Sequence, residues 1–115
     1  MDDTTHHEAS SLDSVPLNQF TYRGSGVYAL RPVGAHGWYV GQSRTVLYRV
    51  GCHVRALENR RHHSRALQAA FDNSGGLVEV ALLASTSDRS LRLRIERSYV
   101  RRVGSLNGRS YGTRS

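Results

Sequence analysis

The 115-residue chain contains no lysine, and all sixteen of its basic side chains are arginine. Cationic chemistry must therefore come from arginine forks, which match phosphate oxygens two at a time. Cysteine is nearly absent as well. Cys52 alone excludes a disulfide framework and any zinc site built on paired cysteines. Isoleucine occurs once, at Ile95, whereas valine is plentiful, as a GC-rich coding bias would produce. No apolar run approaches the ~20 residues that span a bilayer. The acidic, polar start does not read as a signal peptide, so a soluble, cytoplasmic protein is the expectation.

Charge is the abundant feature, and it is lopsided. The formal net charge is +7, yet Asp2, Asp3, Glu8 and Asp13 place four of the nine carboxylates in the first nineteen residues. From residue 20 onward sixteen arginines face five carboxylates. Such an excess on a small body implies a polyanionic partner. A membrane surface is disfavoured, because no helical segment carries large exposed apolar residues beside its charges. Residues 1–19 are polar, without a sustained period and interrupted by Pro16; a disordered acidic tail is expected there, ahead of one domain over 20–115.

Within that domain, Gly26 to Val33 and "WYVG" at 38–41 flank "GAHG", which reads as a β-hairpin. With an even number of loop residues, Tyr39 would face Pro32, Gly41 would face Leu30, and Tyr28 and Tyr39 would share one side. Val46, Leu47, Val50, Val54 and Leu57 then recur at helical spacing, with Ser43 or Thr45 as cap and with Arg49 and His53 on one flank of the stripe. "HHSRALQAAFDNSGG" reads as a shorter helix, and on a helix His63 would point away from His62. "LVEVALLA" is a strand. "STSDRSLRLRIERSYVRRVG" is a third helix, capped by Ser87 or Asp88 and stopped at Gly104, with Glu96 at the edge of its apolar side. The expected fold is α/β of the α+β type: a small three-stranded antiparallel sheet flanked by about three helices.

The triplets Gly26-Val27-Tyr28 and Tyr39-Val40-Gly41, followed by "YVGQS", "LYRVGCH", "HHSRALQAAF" and "IERSYVRRVGSLN", resemble the GIY-YIG endonuclease family over about residues 24–110. The chain departs from that pattern at Gly37, where many members carry a basic residue, at Ser64, where asparagine is frequent, and in lacking lysine. The resemblance implies a metal-dependent endonuclease that hydrolyses phosphodiester bonds in DNA, or RNA as the other polymer. The alternative is a nucleic-acid-binding protein on the same fold that does not cut.

By the same resemblance, Tyr28 activates or orients water and Tyr39 shares its pocket. Arg49 meets the scissile phosphate, His53 shares proton transfer or positions Arg49, and Glu96 holds Mg2+, with Mn2+ as a substitute. His62 and Asn107 are carried over as substrate-binding positions, Asn107 with a strapping role on the C-terminal segment. Magnesium commonly takes only one or two protein carboxylates, so one well-placed glutamate suffices. Arg60, Arg61, Arg101 and Arg102 are candidates for phosphate contacts that ignore sequence. No room remains for a recognition domain, so specificity is expected to come from the module, a homodimer or a partner protein.

Overall fold

Gly26–Pro32 carries apolar side chains at nearly every position, so it requires cover on both faces. In the computed structural model, which describes residues 12–108, this segment is the inner strand β2 of an antiparallel sheet. The other strands are β1 (Val15–Pro16), β3 (Tyr39–Ser43) and β4 (Val78–Ser85), in the order β1-β4-β2-β3. Three helices complete the fold: α1 (Val46–Glu58), α2 (Arg65–Asp72) and α3 (Arg89–Val103).

Alternation along β2 divides the core. Tyr28 and Leu30 face α1 and α2, packing with Tyr39, Val46, Val50, Leu57, Leu67 and Val80. Val27 and Ala29 face α3, packing with Trp38, Val40 and Val103. Each fully buried valine or leucine here contributes about 1.5–3 kcal/mol over an exposed one. Because β3 is an edge strand, helices from both faces meet beside it.

The sheet has four strands, one more than expected, because part of the presumed tail is structured. Val15 and Pro16 pair with Val80 and Glu79. Ser14 donates to Glu79 at 2.6 Å, Leu12 packs against the α3-side core, and Phe20 enters the other core. Composition hid this, since a two-residue edge strand needs no hydrophobic period. Residues 1–11, including the His6-His7 pair, lie outside the described residues.

The hairpin has the expected parity, with a two-residue offset. Leu30 pairs with Tyr39 and Tyr28 with Gly41, so the pairings with Pro32 and Leu30 are corrected. The backbone of Trp38 is drawn out of the ladder: its N–H donates to the Val103 carbonyl at 2.8 Å, and its carbonyl accepts from Leu106 N–H at 3.0 Å. Residues 33–38 therefore form a six-residue loop, and the two tyrosines still share a face.

Helix α1 buries Val46, Val50, His53 and Leu57, so His53 lies inside the apolar stripe, not on its flank. Thr45, its N-cap, makes no side-chain cap bond, while Ser43 Oγ accepts from Thr45 N–H at 2.9 Å. Ser64 and Asp88 cap α2 and α3 through Leu67 N–H and Leu91 N–H. Past α1, Arg61 N–H reaches the Ala56 carbonyl at 2.8 Å and Arg60 N–H the Leu57 carbonyl at 3.1 Å, the bond pattern of a Schellman cap. Arg60 sits there at φ 58°, a left-handed position that favours glycine. Arg60→Gly should raise unfolding stability by about 1 kcal/mol, read as a higher urea midpoint at unchanged m-value.

Candidate active site

Tyr28 projects from β2 across the edge strand. A Cβ on its pairing partner Gly41 would run into the phenol oxygen and Cζ of Tyr28, so the ring lies directly over the Gly41 backbone. This close approach is the physical reason for the glycine of the second triplet. It delivers the hydroxyl to the edge of the sheet, where α1 and α3 converge.

From α1, His53 Nε2 lies 2.8 Å from Tyr28 Oη, and the Arg49 guanidinium lies near enough to favour the ionised form of the same phenol. From α3, the charge of Glu96 also acts on Tyr28. Tyr39, next to it on β3, presents its ring edge to His53 at 4.9 Å and to His62 at 5.3 Å between centroids. Tyr28, Tyr39, Arg49, His53 and His62 of the expected cluster are thus brought together, and the charge of Glu96 reaches Tyr28.

One backbone amide sets the direction of its hydrogen bonds. Ser64 N–H donates to His62 Nδ1 at 3.0 Å, so neutral His62 carries its hydrogen on Nε2. That Nε2–H donates to His53 Nδ1 at 2.8 Å, which leaves the His53 hydrogen on Nε2, aimed at Tyr28. The phenol oxygen consequently accepts from His53 Nε2–H, with the Arg49 guanidinium acting on the same oxygen.

Electrostatics agree with neutral imidazoles. Burial, then the neighbouring His62, Arg49 and His63, lowers the His53 pKa to about 3. Burial, then His63 and Arg49, lowers that of His62 to about 4. Tyr28 moves the other way: burial and the nearby Tyr39 raise its pKa, Arg49 opposes them, and Glu96 adds to the rise. By itself the site therefore holds Tyr28 as a neutral phenol at neutral pH.

Asn107 lies elsewhere. Its Oδ1 accepts from Val40 N–H at 2.8 Å and its Nδ2 donates to the Val40 carbonyl at 2.9 Å, so the buried amide clamps the free edge of β3. Both ends of the amide are thereby engaged with backbone, which is the strapping role expected of it. Arg60 and Arg61 are exposed on the turn joining α1 to α2, directly before His62. Arg92, the helical neighbour of Glu96, is buried and turned to Gln42 Oε1 at 2.9 Å and the Ser87 carbonyl at 3.0 Å.

His63 corrects the expectation that it points elsewhere. Its Nε2 lies 3.0 Å from Tyr39 Oη, and its ring stacks on His62 at 4.4 Å. The two histidines precede α2 instead of belonging to it, so helical divergence does not apply. Ser64 was the available signal, because an N-cap serine places the residues before it outside the helix.

No family model and no curated protein matches the sequence. Among solved structures, the chain is similar to the catalytic domain of the homing endonuclease I-TevI, with 24% identity and a TM-score of 0.65 over 73% of this chain and 94% of that one. A mutant of the catalytic domain of intron endonuclease I-TevI is similar at 23% identity and a TM-score of 0.61, covering 73% and 89%. The chain has a GIY-YIG fold.

Two outcomes follow from this geometry. Unfolded histidines take up protons near pH 6.5, whereas His53 and His62 resist protonation down to about 3 and about 4. Stability present above pH 6.5 is therefore lost as pH falls through those folded values, by on the order of a few kcal/mol. Urea midpoints measured at pH 7, 5.5 and 4.5 should fall in that order. Gly41→Ala should cost about 1–3 kcal/mol, because the added methyl must displace the Tyr28 ring. Thermal melts would show the loss, and the imidazole nitrogen resonance of His53 should shift as its bond to Tyr28 breaks.

Proposed function

We propose that this protein is a metal-dependent endonuclease that hydrolyses phosphodiester bonds in DNA. The observation that carries the reading is the meeting of Arg49, His53 and the charge of Glu96 on one tyrosine oxygen. The fold it shares with a homing-endonuclease catalytic domain supports it.

Hydrolysis requires a positioned water, relief of charge on the phosphate, and a proton for the leaving oxygen. In this reading Tyr28 orients the water and, once ionised, takes its proton. Negative charge arising on the phenol oxygen is met by two donors, Arg49 and His53 Nε2–H. Those donors are held in place before any substrate arrives, which is where electrostatic catalysis gains most. Arg49 is exposed enough to reach a phosphate while its charge acts on Tyr28.

A hard divalent cation fits this donor set. Glu96 is the carboxylate whose charge reaches Tyr28, and no group of three or more His, Cys, Asp or Glu that could hold a metal occurs among the described residues. That combination suits Mg2+, which keeps most of its shell for water and substrate oxygens, and argues against an all-protein cage. Glu96 would hold the ion, with Mn2+ as substitute. When bound, it supplies positive charge for the phosphate and for an ionised Tyr28.

The wider surface is suited to a polyanion. Arg60, Arg61, Arg101 and Arg102 are exposed and would add salt-sensitive contacts to the backbone of DNA or, as the other polymer, RNA. The cap accounts for the left-handed backbone at Arg60, and the presence of arginine there instead of glycine is accounted for if its guanidinium serves a phosphate. No helix among the described residues is long and apolar enough to cross a membrane.

Purified protein should nick supercoiled plasmid with Mg2+ or Mn2+ and stop when the metal is chelated. Glu96→Gln should abolish cutting, and Tyr28→Phe should lower it by about 10²–10⁴-fold, both with the fold retained by circular dichroism. Tight binding of duplex and branched DNA or RNA without cutting under any metal would instead identify a binding module.

A further inference from the structure

Two tyrosine–histidine pairs stand side by side in this site, and they are wired differently. Tyr28 and His53 are buried, and their hydrogen bonds run inward to His62 and end at a backbone amide. No exchange with solvent is built into that chain. Tyr39 is also buried, at 8% exposure, but its hydroxyl bonds His63, which is exposed. One imidazole thus links a buried phenol to bulk water.

We propose that His63 is the proton shuttle of this site, delivering protons from solvent through Tyr39 to the leaving oxygen of the cleaved strand. The assignment rests on the hydrolytic reading above. As the phosphorus–oxygen bond breaks, the departing oxygen takes the Tyr39 hydroxyl proton, and the bonding pair stays with that oxygen. Tyr39 regains a proton from His63 Nε2, while His63 Nδ1 accepts one from water. The imidazole ends neutral as the other tautomer. The proton released by the attacking water balances the one taken from solvent, so no further reactant is needed.

The surroundings of His63 hold its ring in the position that transfer needs. From β3 it faces Tyr39; from α1 it neighbours His53 at 6.2 Å between centroids; on its own segment it stacks on His62, with Arg61 and Arg65 nearby in sequence. Arg49 places positive charge on both neighbouring imidazoles. The same stacking on His62, whose ring is pinned by Ser64 N–H, keeps the His63 ring facing Tyr39. An exposed histidine without such support would sample several rotamers.

The test compares plasmid nicking by the wild-type chain, His63→Ala and His63→Gln at saturating Mg2+, with and without added imidazole. His63 is exposed, so both variants are expected to fold, and circular dichroism checks it. Under the proposal, kcat falls at least tenfold in both, KM for plasmid changes less than twofold, and tens of millimolar imidazole restores much of the rate to His63→Ala. If the wild type cuts and both variants cut equally well, the shuttle is overturned and the nuclease reading stands. A slow variant that imidazole does not rescue, or one whose KM rises with kcat unchanged, makes His63 a packing or binding residue and likewise overturns the shuttle. A wild-type protein that cuts nothing overturns the nuclease reading, and the shuttle with it.

Discussion

The hydroxyl of Tyr28 reaches the edge of the sheet only because Gly41, its neighbour on β3, has no side chain. A tyrosine on an inner strand would ordinarily bury its oxygen in the apolar layer beneath a helix. Here the ring passes over bare backbone and comes out where α1 and α3 approach the same edge strand. Every other member of the site is placed relative to that oxygen. Arg49 and His53 are one turn apart on α1 and reach it from one side, while Glu96 on α3 acts on it from across the sheet edge. Asn107 clamps the backbone of Val40 and so keeps the edge strand from drifting.

Burial then decides what the site can do. Three imidazoles and a guanidinium would repel one another if all were charged. The site avoids this by keeping His53 and His62 neutral and aligning their hydrogens in one direction. The alignment begins at Ser64, which also caps α2 with its hydroxyl and donates that hydroxyl to the Leu106 carbonyl at 2.6 Å. A single residue therefore starts a helix, ties down the segment after α3 and selects the tautomer of a histidine. The chemistry and the packing share this residue, and neither can be altered alone.

Several features were legible before any coordinates. Helical spacing located α1 and α3, and Asp88 stands at the start of α3 as N-cap chemistry requires. Alternation placed Tyr28 and Tyr39 on one face, which needed only the parity of the hairpin loop. Other features were not legible, for identifiable reasons. The hairpin register moved by two because Trp38 bonds Val103 and Leu106, residues more than sixty positions away. β1 is two residues long and has no period to detect. His53 was placed at the flank of its stripe, although a histidine can sit in a core when its two nitrogens are both bonded.

What the sequence by itself determined is the set of local choices: which segments are helix or strand, which face of each is apolar, and which side chains capable of phosphate chemistry are available. These depend on near neighbours along the chain, where spacing and capping act. What only the tertiary structure decided is which of those side chains meet, which nitrogen of each histidine carries its hydrogen, and that Tyr39 rather than Tyr28 is joined to an exposed imidazole. Those outcomes depend on burial and on hydrogen bonds between residues far apart in sequence, and no periodicity records them.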